Sequence, residues 1–218
     1  MELINEFSRI FFPGCVTELL PEIDFDSGMK NRMNSFTGQI QYYVPSLFAH
    51  LKRMKRKRRN LKELFCVGVT MTDIYPSPDW NFVYGEASID DNIGIYSFSR
   101  FDPIFPQLSQ NPCTEAEKRL IIRRAVTTYI HEVLHLFGFE HCIYYTCLMN
   151  GTNHEEEMDR QMLNLCPVCL KKMYLSFGKR NFRIRKMYED LAALTKRVGL
   201  EEEAIWYENR LKILFMTE

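Results

Sequence analysis

The chain reads as an α/β protein of the mixed, α+β kind: a mixed twisted sheet backed by helices, followed by a small helical lobe. Three observations predict it. An apolar, Val-containing stretch at 64–72 and the runs 82–88 and 93–101, which flank Ile89-Asp90-Asp91-Asn92, read as strands, the last two as a hairpin or meander. Thr114 with Glu117 three residues later makes a capping box, and the helix it opens should run to Gly138. Beyond residue 150 the pattern is helical and is interrupted by cysteines at metal-binding spacing.

In chain order, residues 7–20 are apolar, with Pro13 and Gly14 interrupting, and suggest an irregular strand; residues 21–35 read as loop. Residues 36–43 suggest a second strand. Pro45 suits a helix start, and Leu47, Phe48, Leu51 and Met54 follow at helical spacing. The uninterrupted stretch 64–72 is the kind that forms a strand covered on both faces. In the long helix, Ile122, Val126, Tyr129, Ile130, Val133 and Phe137 supply the buried stripe. Thr152 with Glu155 opens a short acidic-headed helix. The knuckle Cys166-Pro167-Val168-Cys169 leads into another, and 180–198 and 201–215 form two more, separated by Gly199. The expected division is 1–141, carrying sheet and active-site helix, and 142–218, a helical subdomain.

At 218 residues the chain suits one domain or one domain with an appended lobe. Apolar residues at 46% and charged residues at 26% are ordinary for a globular protein. The 28 basic residues balance the 28 acidic ones, so net charge points to neither nucleic acid nor an acidic surface. No apolar run approaches the ~18 residues of a membrane helix, and the start, with Glu2 and Glu6, is no secretory signal. Seven cysteines without such a signal point to a reducing compartment, where a cysteine cluster binds metal rather than forming disulfides. Cys66 lies in an apolar run as a core thiol; Cys15 and Cys113 carry no assigned chemistry.

The chemistry concentrates in residues 131–141, His131-Glu132-Val133-Leu134-His135-Leu136-Phe137-Gly138-Phe139-Glu140-His141. His131 and His135 lie one helical turn apart on one face and can grip one metal. Glu132 sits between them, close enough to take a proton from a water on that metal. Gly138 can adopt the left-handed conformation that ends the helix and turns the chain back. His141 then arrives as a third ligand, leaving a fourth position open to water and substrate. The string H-E-x-x-H-x-x-G-x-x-H is the pattern known from metzincins. Cys142 and Cys147, then Cys166 and Cys169, give C-x4-C and C-x2-C, the ligand spacing of a closed structural zinc site.

Together with Met149 in C-x4-C-x-M and the C-P-x-C knuckle, these motifs make the chain resemble the archaemetzincin family. The likeness extends to 64–76, to 79–85 and to 94–101, covers about 36–178, and is nearest the eukaryotic branch. The resemblance implies a metzincin-like layout with the catalytic zinc at the floor of a cleft, and Met149 packed beneath it. It implies a zinc-dependent metallopeptidase with two zincs: a catalytic one on His131, His135 and His141, and a structural one on Cys142, Cys147, Cys166 and Cys169. Glu132 would be general base and then general acid. Tyr144, Tyr145 and His154 are candidates for stabilising the oxyanion.

A peptide or protein substrate would bind extended, as a strand added to a sheet edge, with 93–101 matching the family segment near that edge. The alternative is a catalytically inactive zinc scaffold or peptide-binding protein. Nucleic-acid binding through the cysteine cluster is disfavoured, because Glu155, Glu156, Glu157 and Asp159 make the intervening segment acidic. The run Lys52-Arg53-Met54-Lys55-Arg56-Lys57-Arg58-Arg59 suits first the solvated, cationic end of a helix, and after that a nuclear-import signal or a nucleic-acid contact. The expectation is a monomer, cytoplasmic, with nuclear import left open by that run.

Overall fold

The computed structural model describes residues 1–25, 28–58, 63–107, 113–152, 154–178 and 182–215. The element order is α1 (Glu2–Phe11), β1 (Asn31–Met33), β2 (Ile40–Tyr43), α2 (Val44–Lys57), β3 (Cys66–Thr70), β4 (Asp73–Tyr75), β5 (Gly85–Ser88), β6 (Ile93–Ser97), a 3-10 turn (Ser99–Phe101), α3 (Glu115–Leu136), α4 (Glu155–Arg160), α5 (Pro167–Phe177), α6 (Ile184–Arg197) and α7 (Glu201–Phe215). This is the α/β class expected from the sequence. No helix among the described residues is long and apolar enough to cross a membrane.

The chain groups into two compact units. One comprises Glu22–Ile121 and Glu132–Phe139; the other comprises Met1–Pro21, Ile122–His131 and Glu140–Glu218.

The first unit holds the strands. Where one mixed sheet was expected, the described residues form two three-stranded sheets, in the orders β1-β2-β4 and β3-β6-β5. Each is mixed: β1 runs antiparallel to β2 and β2 parallel to β4, while β3 runs parallel to β6 and β5 antiparallel to it. Helix α2 lays Val44, Leu47 and Leu51 into a core with Cys66, Ile74, Ile93 and Ile95. Two readings are corrected here. Strand β3 is an edge and only half-buried beyond Cys66, so it is not covered on both faces. Strand β6 is the centre of its sheet and buried throughout, so its backbone is already paired on both sides and cannot be the edge that receives a peptide.

Part of the basic run has a structural task. Lys52 pairs with Asp91 at 2.6 Å, and Lys55 Nζ donates to the Asp91 and Asn92 carbonyls at 3.0 and 3.3 Å, fastening the turn between β5 and β6 to α2. Arg59 lies outside the described residues. Beside that turn, Tyr96 covers the glycines next to it: a Cβ on Gly85 would fall 2.1 Å from its Cδ1, and one on Gly94 2.5 Å from its hydroxyl. The strand–turn–strand reading of 82–101 holds, but the strand stops at Ser97 and a 3-10 turn follows.

In the second unit, the stretch 7–20, read as an irregular strand, forms none: residues 7–11 belong to α1, and 12–20 are neither helix nor strand. In α1 the buried Ile4, Phe7, Ser8 and Phe11 recur at helical period, and Pro13 and Gly14 fall after the helix ends. In the first unit, by contrast, the stretch 21–35, read as loop, contains β1. The N-cap of α4 is His154, with no side-chain cap bond, so Thr152 does not open the helix. Helices α6 and α7 pair around Gly199 as expected, with Leu191, Ala204 and Tyr207 buried.

Candidate metal centre and active site

The site is built on the last turns of α3. The capping box is present in full: Glu117 N–H donates to Thr114 Oγ1 at 3.2 Å, and Thr114 N–H donates back to Glu117 Oε2 at 2.7 Å. At the other end Gly138 takes φ +84°, its N–H donates to the His135 carbonyl at 2.9 Å, and Phe139 N–H reaches the Leu134 carbonyl at 3.0 Å. These two bonds make a Schellman ending, which needs a left-handed residue where glycine stands. The reversal also turns the Phe139 carbonyl back onto the helix, where it meets His135 Nδ1 at 2.5 Å. A carbonyl carries no proton, so Nδ1 donates and Nε2 is left as the nitrogen that could bind a metal.

His131 is oriented by a different partner with the same result. Its Nδ1 lies 2.7 Å from the Leu148 carbonyl, so Nε2 is again the nitrogen that could ligate a metal. The Leu148 carbonyl accepts a second bond, at 2.7 Å, from the side-chain amide of Gln161, which also donates to the Asn150 carbonyl at 2.9 Å. Gln161 is held in turn by α3. Arg123 donates to the carbonyls of Asp159 and Gln161 and to Glu203, while Arg124 grips Asp159 with two bonds of 2.7 Å.

His141 follows the reversal and lies with its ring 5.3 Å from that of His131, centroid to centroid. Gly151 underlies it so closely that an added Cβ would stand 3.2 Å from its Nδ1. Between these two residues Asn150 clasps the chain: its amide donates to the Cys142 and Tyr145 carbonyls, and its carbonyl oxygen accepts Cys147 N–H at 2.7 Å. Met149 is fully buried, and its carbonyl accepts Cys142 N–H at 2.7 Å. One ligand nitrogen from each of His131, His135 and His141 lies within 4.8 Å of the others. Three imidazoles converging in this way, two with Nδ1 held by a carbonyl, fit a zinc ion.

Glu132 stands outside this converging set. Burial pushes its carboxyl up from 4.5 to about 7, because the charged form loses solvent. Tyr144 and Tyr145 are exposed, and His154 sits 3.5 Å from Glu157 at the start of α4.

The four cysteines also converge. All are buried and reduced, their sulfurs lie within 4.8 Å of one another, and Cys142 and Cys166 are 3.6 Å apart. That is far from a disulfide, at ~2.05 Å, and close to the ~3.8 Å edge of a tetrahedron with ~2.3 Å zinc–sulfur bonds. Cys166 N–H donates to Cys147 Sγ at 3.2 Å and Cys169 N–H to Cys166 Sγ at 3.5 Å. Burial opposes a Cys142 thiolate, but the N–H groups of Tyr144 and Tyr145 outweigh it and bring that thiol to about 7. Burial first, and the neighbouring cysteines second, push Cys169 upward. Four buried sulfurs crowded this closely fit a cation at the centre.

The structure thus brings every sequence-predicted ligand into one of two groups. Sequence reasoning missed the supports: the Leu148 and Phe139 carbonyls, Gln161, Asn150 and Gly151. Only Gly151 carried a residue-type signal.

A family model described as Peptidase family M54 matches residues 17–174. Archaemetzincin-2 of Macaca fascicularis and of Homo sapiens are each 32% identical over 209 residues, covering 86% of this chain and 56% of the relative. The chain therefore spans just over half the length of these curated relatives. The crystal structure of a zinc-dependent peptidase from Methanocorpusculum labreanum (strain Z) matches with a TM-score of 0.57 at 23% identity, over 81% of this chain and 92% of that one. At that identity it speaks for the fold.

Proposed function

The chain belongs to peptidase family M54, the archaemetzincins, and from that premise we propose that it is a zinc-dependent metallopeptidase acting on peptides or proteins. The observation that carries the reading is the convergence of His131, His135 and His141, with Glu132 next to the first of them on α3. These histidines would hold the catalytic zinc. Bound there, zinc would supply a Lewis acid for the scissile carbonyl and water acidic enough to attack near neutral pH.

The protein's own part is proton transfer and alignment. Glu132 would take the proton of the attacking water and hand it to the leaving amine, and its burial makes the carboxylate proton-avid for the first transfer. The Leu148 and Phe139 carbonyls keep two histidines turned with Nε2 outward. Cys142, Cys147, Cys166 and Cys169 would hold a second, structural zinc. The substrate would lie extended against β5, the antiparallel edge of its sheet, and gain backbone bonds there.

The test combines zinc stoichiometry with cleavage of a degenerate peptide library by wild type and Glu132→Ala, read by mass spectrometry. The reading expects two zincs per chain in both proteins and cleavage by wild type alone. Equal cleavage by both would remove Glu132 from the mechanism. No cleavage by either would identify a zinc-stabilised scaffold.

A further inference from the structure

The segment Cys142–Cys147 leaves one metal-binding histidine and returns to the support of another. Cys142 directly follows His141, and Cys147 directly precedes Leu148, whose carbonyl holds His131. Both ends are buried in the sulfur cluster, while the side chains between them face solvent. Ile143 is 86% exposed, Tyr144 65% and Tyr145 59%. Three consecutive large side chains left open, one of them aliphatic, cost the free protein their hydration.

The backbone under them is fixed. Tyr144 and Tyr145 give their N–H groups to Cys142 Sγ. The Tyr145 carbonyl accepts from Asn150 Nδ2 at 3.0 Å, and Asn150 also binds the Cys142 carbonyl and Cys147 N–H, each at 2.7 Å. A chain advances at most ~3.6 Å per residue, so Ile143 Cα stands within about 7 Å of His141 Cα. The loop therefore begins within two residues of the three-histidine group, on a backbone held by these bonds.

We propose that Ile143, Tyr144 and Tyr145 form a substrate-recognition platform, selecting peptides with aromatic or large aliphatic side chains beside the scissile bond. The proposal rests on the peptidase reading and adds a substrate class to it. Its occupant is the substrate because the loop is continuous with the ligand His141 and with the Leu148 support of His131. Tyrosine suits the task, giving large contact area for few rotatable bonds, and a prefixed backbone avoids an ordering cost on binding. The four-cysteine cluster then has a second consequence besides stability: it frames the loop that reads the substrate.

The experiment compares wild type with the triple variant Ile143→Ser, Tyr144→Ser, Tyr145→Ser. The three side chains are exposed and the backbone bonds of the loop survive, so unchanged zinc content and melting temperature are expected. On a degenerate peptide library the variant should lose the preference for aromatic and large aliphatic residues next to the cleaved bond. For the best wild-type peptide, kcat/KM should fall about 10- to 100-fold, mainly through KM, as for removal of interface anchors. Peptides with polar residues there should lose far less, and an equal loss of kcat on every peptide would assign the tyrosines to the chemistry and overturn the proposal. Identical library profiles would overturn the proposal.

If wild type cleaves nothing, the peptidase reading fails by itself, and the platform is judged by binding. Fluorescence anisotropy of a labelled Phe- and Leu-rich peptide and of a Ser- and Asn-rich one, on wild type and the triple variant, then decides. Loss of a selective apolar-peptide signal in the variant supports the platform; equal or unselective binding overturns it.

Discussion

The Leu148 carbonyl oxygen accepts the Nδ1–H of His131 at 2.7 Å, a contact that leaves Nε2 as the nitrogen that would meet a metal. Gln161 donates to the same oxygen and to the Asn150 carbonyl, so its amide sets the position of the segment that holds His131. Gln161→Leu removes both donors from a buried place. Outer-shell partners of ligating histidines are worth about 10- to 100-fold in metal affinity, and a loss of that size is expected at the three-histidine site. Chelator competition checks it: the cysteine-bound zinc should be retained, and unchanged competition at both sites would mean Gln161 is only packing.

Gly151 leaves room for His141. A Cβ there would stand 3.2 Å from Nδ1 and 3.3 Å from Cε1, so Gly151→Ala must push the ring by a few tenths of an ångström. The expected result is weaker zinc retention at the three-histidine site with a melting temperature close to wild type. Equal zinc retention would show that the ring yields without cost.

Glu132 links burial to pH. Its carboxyl is raised by desolvation from 4.5 to about 7. Between those values the folded state keeps a proton that the unfolded chain has lost, so stability falls as pH rises through the window. With metal removed, Glu132→Gln escapes this loss. The variant's melting temperature relative to wild type should therefore rise from pH 4 to pH 8. A difference independent of pH would contradict the desolvation of this group.

Loss of a sulfur from the four-cysteine cluster should remove one zinc. Cys169 is 2% exposed and its N–H closes the bond to Cys166 Sγ. Structural zinc contributes folding free energy of about 10–16 kcal/mol in small modules, of which a larger unit feels a part. For Cys169→Ser the expectation is one zinc per chain and a melting temperature lower by several degrees. Two zincs with an unchanged melting temperature would sink the structural-zinc assignment.

Tyr96 faces Gly85 across the β5–β6 pair. With 2.1 Å from a built Cβ to Tyr96 Cδ1, Gly85→Ala forces the buried ring or the strand to move. Overpacking of this kind costs about 1–3 kcal/mol, visible as a lower urea midpoint. Gly85→Ala in a Tyr96→Phe background should cost about the same, since the overlap is with the ring, whereas Gly85→Ala with Tyr96→Ala should recover part of the loss.

What the sequence determined by itself is what local periodicity encodes. His131 and His135 share a face because α3 repeats every 3.6 residues, the capping box fixes where α3 starts, and Gly138 fixes where it ends. The two cysteine pairs announced their cluster by residue type and spacing. The same logic explains α1, where Ile4, Phe7 and Phe11 carried a helical stripe overshadowed by the apolar run after them.

Tertiary structure alone decided the rest. A backbone carbonyl has no residue-type signature, so nothing in Leu148 or Phe139 as letters marks them as acceptors for the ligand histidines. Gln161 lies 30 residues from His131 in sequence and reaches its support only because Arg123 and Arg124 tie 159–161 to α3. Strand order, too, follows from pairing between distant segments: β3 and β6 meet in parallel, which places β6 inside its sheet and leaves β5 at the edge. Spacing along the chain fixes what neighbours within a turn can do; which main-chain groups meet across many residues is fixed by packing.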